Sequence, residues 1–213
     1  MQESILNIKA MGILMPDPHV DETGCYEIHS LYFDDINDTC LWENLGGTDP
    51  RSKFRIRYYN NDTGFISLEK ISKTRGMTLK ESCILTRSDC KKLMMGEIPD
   101  PAMKDPEIKH RLLTELKVRG LMPKVIVSYQ RIPYIYTGGN VRITIDKAIT
   151  SSPDIGRFLD GDFARRPVLP LGNSILEVKW DEVLPRHIKE TMALDDLNWT
   201  AFSKYYMCRM LHL

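Results

Sequence analysis

The sequence predicts an α+β fold in which one antiparallel β-sheet, curled or closed into a β-barrel, has helices packed on the outside. Segments of alternating polarity follow one another in mostly hairpin order, and amphipathic segments of helical period are inserted between some of them. The 213 residues contain no internal repeat and no flexible linker. We therefore expect a single domain over residues 1–213.

Turn residues divide the chain into predicted strands at 26–33, 53–60, 65–73, 77–85, 123–136, 140–149 and 174–180. Three stretches between them are typical of hairpin turns: Asn60–Gly64, Arg75-Gly76 and Thr137–Asn140. The spacing of apolar residues predicts helices over 2–14, 86–95 and 107–118, and at about 185–194 and 200–210. Residues 38–45 are expected to form a short helix or structured loop, and residues 150–172 an irregular segment.

Composition excludes several classes of protein. The chain has 29 Lys and Arg against 29 Asp and Glu, and this neutrality argues against a general nucleic-acid or anionic-membrane binder. Five scattered cysteines with no C-x-x-C pair indicate reduced thiols in a cytoplasmic protein rather than a disulfide framework or zinc site. No apolar run approaches the ~18 residues of a membrane span, so no membrane insertion is expected.

The stretch Lys53–Tyr59 has two different faces. Lys53, Arg55 and Arg57 share one face, and Phe54, Ile56 and Tyr58 share the other. The same division recurs on the other predicted strands, and their charged faces are mainly basic. The charged registers contain Arg55, Arg57, Lys73, Lys80, Arg131, Arg142 and Lys179 against Glu69, Asp146 and Glu177.

The charged faces could be exposed to solvent, as on an ordinary sheet exterior, or could line the inside of a barrel. The amphipathic helices need an apolar sheet surface, which favours the interior for the charges. Cations at this density repel one another unless a polyanion is present, and guanidinium groups match phosphate oxygens. Two of the acids could hold Mg²⁺ or Mn²⁺. The pattern therefore predicts a basic tunnel suited to linear phosphate chains.

Several short motifs occur in an order known from one protein family. They are Ser30-Leu31-Tyr32-Phe33-Asp34, Lys53-Phe54-Arg55-Ile56-Arg57, Leu68-Glu69-Lys70, Tyr129-Gln130-Arg131, Ile175-Leu176-Glu177-Val178-Lys179 and Phe202-Ser203-Lys204-Tyr205. Each motif alone is weak, but the set covers nearly the whole chain. It resembles the VTC domain, the polyphosphate polymerase domain of the vacuolar transporter chaperone family, within the triphosphate tunnel metalloenzyme superfamily.

The resemblance implies a tunnel of antiparallel strands that holds a nucleoside triphosphate and a growing polyphosphate chain with Mn²⁺ or Mg²⁺. By position it implies phosphate binding by Arg55, Arg57 and Lys80, a role at the reacting phosphate for Tyr129, Arg131 and Arg142, metal binding by Glu177, and contacts from Ser203 and Lys204 on a closing helix. The charged registers add Lys73 and Lys179 as substrate-binding residues and Glu69 as a second metal carboxylate.

The chain departs from the family pattern in two places. The family usually opens with a strand that carries an Arg-x-Glu-x-Lys-Tyr-like motif, and this sequence begins after it, so the first family strand is expected to be missing. The family also often has a lysine at the position of Ile71. Lys70 and Lys73 are the two neighbouring cations that could replace it.

The predicted function is polyphosphate synthesis from ATP. Two alternatives stay open: a tripolyphosphatase or nucleoside triphosphatase that transfers phosphate to water, and a catalytically weak polyphosphate-binding module. Water access decides between transfer to phosphate and hydrolysis, and the sequence does not determine it. The expected partners are ATP or another nucleoside triphosphate, and polyphosphate or pyrophosphate. A membrane-protein partner encoded elsewhere is a further expectation.

Overall fold

The computed structural model describes residues 12, 14–18, 20, 22–181, 183–192 and 200–213. Its strands are β1 (Met15–Pro16), β2 (Tyr26–Asp34), β3 (Arg51–Tyr59), β4 (Asp62–Thr74), β5 (Met77–Leu85), β6 (Met122–Tyr136), β7 (Val141–Ser152), β8 (Arg166–Pro167) and β9 (Ile175–Lys179). Its helices are α1 (Thr39–Leu45), α2 (Arg87–Met94), α3 (Glu107–Val118), α4 (Arg186–Met192) and α5 (Lys204–Met210), with a 3₁₀ helix at Ile155–Asp160.

The strands form one sheet, which confirms the predicted α+β class. The strand order is β5-β4-β3-β2-β6-β7-β8, with β1 paired to β6 and β9 paired to β7. Pairings described residue by residue are antiparallel, and β3, β4 and β5 form the predicted meander. Among the described strands this order is an open path with two ends rather than a closed ring. The two-residue strands β1 and β8 were not predicted, because two residues carry no periodicity.

The chain divides into two compact units, which are described separately. Unit 1 comprises residues 1–26, 130–148 and 171–202, and unit 2 comprises residues 27–129, 149–170 and 203–213. The expectation of a single domain over residues 1–213 stays a prediction.

In unit 2, helices cover the apolar face of the sheet. Phe54, Ile56 and Tyr58 on β3 are buried in a cluster that includes Leu93 from α2 and Leu112 from α3. Helix α2 begins after Thr86, whose hydroxyl accepts a hydrogen bond from the Asp89 amide at 3.0 Å. The alternating pattern of β3 thus places its apolar residues under the helices, as predicted. The opposite face of the same strands is left for the charged residues.

Unit 1 has a smaller apolar cluster of the same kind. Val141, Ile143 and Ile145 on β7 pack with Leu14 and with Ile188 of α4. The alternate β7 positions belong to the opposite face. The predicted parity of residues 140–149 and 174–180 is therefore confirmed.

Several predicted boundaries shift in the structure. The helix expected over 2–14 falls almost wholly outside the described residues. The segment 150–172 is less irregular than expected, because β7 continues to Ser152 and the 3₁₀ helix follows. The last helix begins at Lys204 rather than at residue 200, because Ser203 caps it by accepting a hydrogen bond from the Tyr206 amide. Within the described part of the chain, no helix combines the length and hydropathy needed to cross a membrane.

Candidate functional site

Strand register brings several predicted site residues onto one face of unit 2. Arg55 is opposite Tyr32 on β2 and opposite Glu69 on β4, and Arg57 is opposite Ser30 and Ser67. Because directly opposed residues point to the same side of a sheet, these side chains share the face opposite the one that α2 and α3 cover. Lys80 on β5 lies opposite Ile71, one pair along from Glu69.

Glu69 is the centre of this face. Its Oε2 atom lies 2.6 Å from Nε and 2.6 Å from Nη2 of Arg55, and 3.8 Å from Nη1 of Arg57. Its Oε1 atom lies 2.5 Å from Nζ of Lys80. Burial raises the pKa of Glu69, but the cations Arg57, Arg55 and Lys80 outweigh that effect and lower the pKa to about 2. We call Arg55, Arg57, Glu69 and Lys80 the Glu69 cluster.

Phenol and hydroxyl groups orient the two arginines of the Glu69 cluster. Arg55 donates a hydrogen bond to the Tyr32 hydroxyl at 2.9 Å. Arg57 donates to Ser30 Oγ at 2.9 Å and to the Tyr129 hydroxyl at 3.2 Å. Two guanidinium groups held at several points keep a fixed orientation, which is what recognition of phosphate oxygens requires.

Lys204 contributes a further cation next to this network. Its Nζ atom lies 5.0 Å from the centre of the Tyr129 ring, in a cation–π contact. Lys204 is the first residue of α5, so this helix brings a lysine to Tyr129, and its predicted role at the substrate stays a prediction. Ser203 instead uses its oxygen to cap that helix. Its predicted substrate contact is not tested.

Positive charge exceeds negative charge on this face. Lys53 lies on the same face as the Glu69 cluster, with its Nζ atom 5.7 Å from the Tyr32 ring. These four cations therefore share this face with Glu69, and three of them contact its carboxylate: Arg55, Arg57 and Lys80. Burial raises the pKa of Tyr32, but Arg55, Lys53 and Arg57 lower it to about 8. A phenol with so low a pKa indicates that the face favours an anion.

The register also decides which lysine stands near Ile71. Lys73 lies opposite Arg51 and Thr78, on the same face as Ile71. Lys70 is on the other face, where its Nζ atom lies 5.5 Å from the Phe54 ring. Lys73 is therefore the cation that can substitute for the family's lysine. Its role in substrate binding, as predicted from the sequence, stays a prediction.

Unit 1 holds the other predicted site residues around Arg131. This side chain binds Asp146 through two hydrogen bonds, from Nε at 2.6 Å and from Nη2 at 2.8 Å. The same Nη2 lies 3.5 Å from Oε2 of Glu177, and Nζ of Lys179 lies 3.1 Å from Oε1 of Glu177. Asp146 and Glu177 are thus two carboxylates that share one guanidinium. We call Arg131, Asp146, Glu177 and Lys179 the Arg131 cluster.

Arg142 is oriented by two residues that sequence reasoning did not select. Its Nη2 atom lies 3.0 Å from Oδ2 of Asp17 and donates to the Tyr26 hydroxyl at 3.1 Å. Asp17 is 125 positions away in the chain and lies between two prolines. No periodic pattern surrounds it, so the sequence contains no signal that could have linked it to Arg142.

The residues opposite Glu177 fit a divalent cation. Thr144 is directly opposite Glu177 in the β7–β9 ladder, so it shares a face with Glu177 and Asp146. Its buried Oγ1 atom has no hydrogen-bond partner in the structure. Two carboxylates and an unsatisfied hydroxyl are oxygen ligands of the kind that Mg²⁺ and Mn²⁺ take, with water and substrate phosphates completing the shell. Across the described ranges, no group of three His, Cys, Asp or Glu side chains could hold a metal by itself.

Glu69 has a different environment from Glu177. Both of its oxygens already contact cations, and its side chain is only 2% exposed. That environment is typical of an ion-pairing carboxylate. The predicted metal-binding role of Glu69 is not tested by the structure, and Glu177 is the better placed of the two.

Comparisons with known proteins found solved structures and one sequence family that are similar to this chain. A solved structure of a candidate adenylate cyclase from Bacillus halodurans has a TM-score of 0.48 and 14% identity, and the match covers 90% of this chain and 80% of that chain. A candidate adenylyl cyclase from Hippeastrum, described as having a dominant triphosphatase activity, has a TM-score of 0.44 and 14% identity, covering 89% of this chain and 78% of that one. No curated protein matches the chain in sequence.

The sequence profile of the VTC domain matches residues 5–212. This match includes all of the residues that carry the motifs and both clusters of charged side chains. The chain therefore belongs to the VTC domain family.

Proposed function

We propose that this protein carries out metal-dependent phosphoryl transfer on linear phosphate chains, and specifically that it synthesises polyphosphate from ATP. One observation carries the proposal: Lys53, Arg55, Arg57 and Lys80 share a sheet face around the buried carboxylate of Glu69. Membership in the VTC domain family supports phosphoryl transfer on phosphate substrates in general.

Phosphoryl transfer requires positioned phosphates and positively charged groups, and it does not require a nucleophilic side chain. Phosphoryl transfer needs the attacking oxygen, the phosphorus and the leaving oxygen in line, with the charge of the transferred group stabilised. In unit 2, Arg55, Arg57 and Lys80 would bind phosphate oxygens, and Tyr129 and Lys204 would complete their surroundings. In unit 1, Arg131 and Arg142 would stabilise charge on a phosphoryl group. That both sets serve one channel is a prediction from the sequence.

A divalent cation is part of the proposal. Glu177 would hold Mn²⁺ or Mg²⁺, with Asp146 and the Thr144 hydroxyl as neighbouring oxygen donors. The ion would neutralise negative charge on the phosphates when bound. Arg131 keeps the two carboxylates together through its contacts with both. The cytoplasmic location and the membrane-protein partner expected from the sequence remain predictions.

The experiment that tests the function is incubation of the purified protein with ATP and Mn²⁺, followed by separation of the products on a gel. Long phosphate chains are the expected product. Release of orthophosphate alone would show that the protein is a hydrolase and not a polymerase. Phosphate binding without turnover would show that it is a binding module. Absence of any phosphate binding would overturn the proposal altogether.

A substitution at Arg131 tests the assignment of the residues. Arg131→Ala should lower turnover about 100-fold or more, because one charge-stabilising donor is typically worth that much. The control is Lys117→Ala, which removes an exposed cation from α3. Equal effects of the two substitutions on turnover would contradict the assignment of Arg131 to the catalytic site.

Arg131→Ala also leaves the buried carboxylate of Asp146 without its main partner. Loss of folding must therefore be separated from loss of catalysis. The double variant Arg131→Ala/Asp146→Ala removes both charges and should regain thermal stability while remaining inactive. Recovery of activity in the double variant would contradict a direct role for Arg131.

A further inference from the structure

A small basic cavity lies at one end of the charged face of unit 2, beside α1. Its volume is about 100 Å³. Three half-buried cations line it, Arg51, Lys53 and Lys73, together with polar groups of Asn44 and Thr78. Lys53 and Lys73 already belong to the residues of the proposed function, whereas Arg51, Asn44 and Thr78 do not. We call it the α1 pocket.

The α1 pocket continues the charged face of the Glu69 cluster. Residues paired across β3, β4 and β5 form rows on this face. One row contains Arg51, Lys73 and Thr78. The next row on the same face contains Lys53, Ile71 and Lys80. The row after that contains Arg55 and Glu69. Arg51 and Arg55 are four residues apart on one strand, which corresponds to about 13 Å. The two positions are therefore too far apart for a single phosphate group and lie along one line.

The cations of the α1 pocket have little negative charge around them. Asp49, whose pKa is lowered by the backbone amides of Arg75 and Gly76 and by the charges of Arg51 and Lys73, interacts with them without forming a close ion pair. Within the described ranges, no carboxylate comes within ion-pair distance of Arg51, Lys53 or Lys73. Arg51 donates to the Thr48 carbonyl at 2.6 Å, and Lys53 contacts the Tyr32 ring. Glu43 is the carboxylate among the lining residues, so cations outnumber it three to one there. Burial, with Arg55 and Arg51 nearby, lowers the pKa of Lys53, so the pocket gains from a bound anion.

The size of the α1 pocket limits what it can bind. Pockets that enclose drug-sized ligands are typically about 300–1,000 Å³. A cavity of about 100 Å³ is too small for a nucleoside but large enough for a phosphate group. The pocket offers charged hydrogen-bond donors from Arg51, Lys53 and Lys73. It also offers neutral hydrogen-bond donors from the Thr78 hydroxyl and the Asn44 amide. The geometry fits a phosphate group that belongs to a longer molecule.

We propose that the α1 pocket binds a phosphate group of a linear polyphosphate chain, beyond the phosphates held by Arg55 and Arg57. This inference rests on the proposed function and deepens it. A chain must be long enough to extend from the Glu69 cluster to Arg51 and Lys73. Long polyphosphate gains the extra contacts, and tripolyphosphate bound at the Glu69 cluster does not. The α1 pocket is thus a chain-length specificity site.

Calorimetric titration with two ligands, long-chain polyphosphate and tripolyphosphate, tests this proposal. Lys73→Gln should weaken long-chain binding about tenfold, which is about 1.4 kcal/mol. It should change tripolyphosphate binding by less than about twofold, since the row of Lys73 lies about 13 Å from the row of Arg55 and Glu69 and charges that far apart are largely screened by salt. The matched control is Lys70→Gln, the same charge change on the same strand but on the opposite face. It should leave both affinities nearly unchanged.

Two results would overturn the proposal. Lys73→Gln could leave long-chain binding unchanged, or it could weaken both ligands to the same degree as a general electrostatic effect. Arg57→Gln separates this failure from failure of the proposed function, because it should weaken both ligands strongly. Wild-type protein that binds neither ligand overturns the proposed function as well as the pocket.

Discussion

Glu69 in unit 2 and Glu177 in unit 1 are both acids on a basic sheet face, yet their surroundings differ. The Glu69 side chain is 2% exposed and contacts three cations, Arg55, Arg57 and Lys80. The Glu177 side chain is 35% exposed, shares Arg131 with a second carboxylate, and stands opposite an unsatisfied hydroxyl. The first site is rich in cations, and the second is rich in oxygen ligands.

The difference assigns separate tasks to the two acids. A buried carboxylate among several cations lowers their mutual repulsion and fixes their positions without cancelling their charge. A half-buried carboxylate beside further oxygen donors can exchange a lysine contact for a metal ion. The comparison therefore predicts that removing Glu69 mainly damages folding, and that removing Glu177 mainly damages metal binding.

The largest expected effect is that of Glu69→Gln on stability. The change leaves Arg57, which is 5% exposed, and Arg55 without their carboxylate. Breaking a buried ion pair from one side typically costs about 3–5 kcal/mol. The free energy of unfolding, measured by denaturant titration, should fall by about 3 kcal/mol. Added tripolyphosphate should restore more stability to this variant than to the wild type.

Glu81→Gln is the control for Glu69→Gln. Glu81 lies on the neighbouring strand and pairs with Arg111, but the pair is solvent-exposed and worth less than about 1 kcal/mol. A similar loss of stability in both variants would mean that Glu69 is not the central counterion of the face.

A smaller effect is expected from Glu177→Gln, and it concerns the metal. The affinity for Mn²⁺, measured by titration in the presence of tripolyphosphate, should fall about tenfold or more. Stability should change little, because Glu177 is partly exposed and ion pairs in contact with water contribute less than about 1 kcal/mol. Glu69→Gln should leave the Mn²⁺ affinity nearly unchanged. The opposite result, in which Glu69→Gln lowers the Mn²⁺ affinity and Glu177→Gln does not, would assign metal binding to Glu69 instead of Glu177.

The comparison also separates what the sequence predicts from what it does not. The period-2 pattern of Lys53–Tyr59 was enough to place Arg55 and Arg57 on the face opposite α2 and α3, because alternation in a strand is a local property. The same reasoning placed Glu177 and Lys179 together. The family comparison left Lys70 and Lys73 open as substitute cations, although the same alternation puts Lys73 on the face of Ile71 and Lys70 on the other. The register of β4 and the contact of Lys70 with the Phe54 ring agree with that alternation.

Contacts between distant parts of the chain were beyond sequence reasoning. Asp146 was recognised as an acid of the charged register, but its two hydrogen bonds with Arg131 depend on the geometry of two strands. The contact of Asp17 with Arg142 spans 125 positions and lies outside any periodic segment. Likewise, the sequence did not indicate that the Ser203 oxygen caps α5, and its predicted substrate contact stays a prediction. Side chains near element ends can serve either role, and only coordinates distinguish them.

Within unit 2, the closing helix should respond to loss of one hydrogen bond. The Tyr205 hydroxyl donates to Oδ2 of buried Asp34 at 2.5 Å, and Tyr205 follows Lys204 on α5. Tyr205→Phe should lower the free energy of unfolding by about 1 kcal/mol. It should also weaken phosphate binding, because Lys204 is positioned by the same helix. Tyr206→Phe, on the next position of α5, should do neither. Equal behaviour of the two variants would argue against α5 as a positioning element.

The smallest effect is a pH dependence that arises in unit 2 and not in unit 1. Tyr32 has a pKa of about 8, because Arg55, Lys53 and Arg57 favour its ionised form despite burial. Below that pH the phenol is neutral and the full positive charge faces the substrate. Above it, the ionised phenol neutralises part of that charge and repels a polyanion, so affinity should fall as pH rises.

Tripolyphosphate binding by the wild type should therefore weaken about threefold between about pH 7 and about pH 9, following the release of a single proton. The Tyr32→Phe variant has no phenol to ionise at this position, so its affinity for tripolyphosphate should lose this pH dependence. Any pH dependence that remains in the variant reports ionisation of the ligand. The phenol lies within the Glu69 cluster, where Arg55 donates to it at 2.9 Å. Glu177→Gln should therefore keep the wild-type pH profile. A profile that changes with Glu177→Gln and not with Tyr32→Phe would place the titrating group in the Arg131 cluster instead.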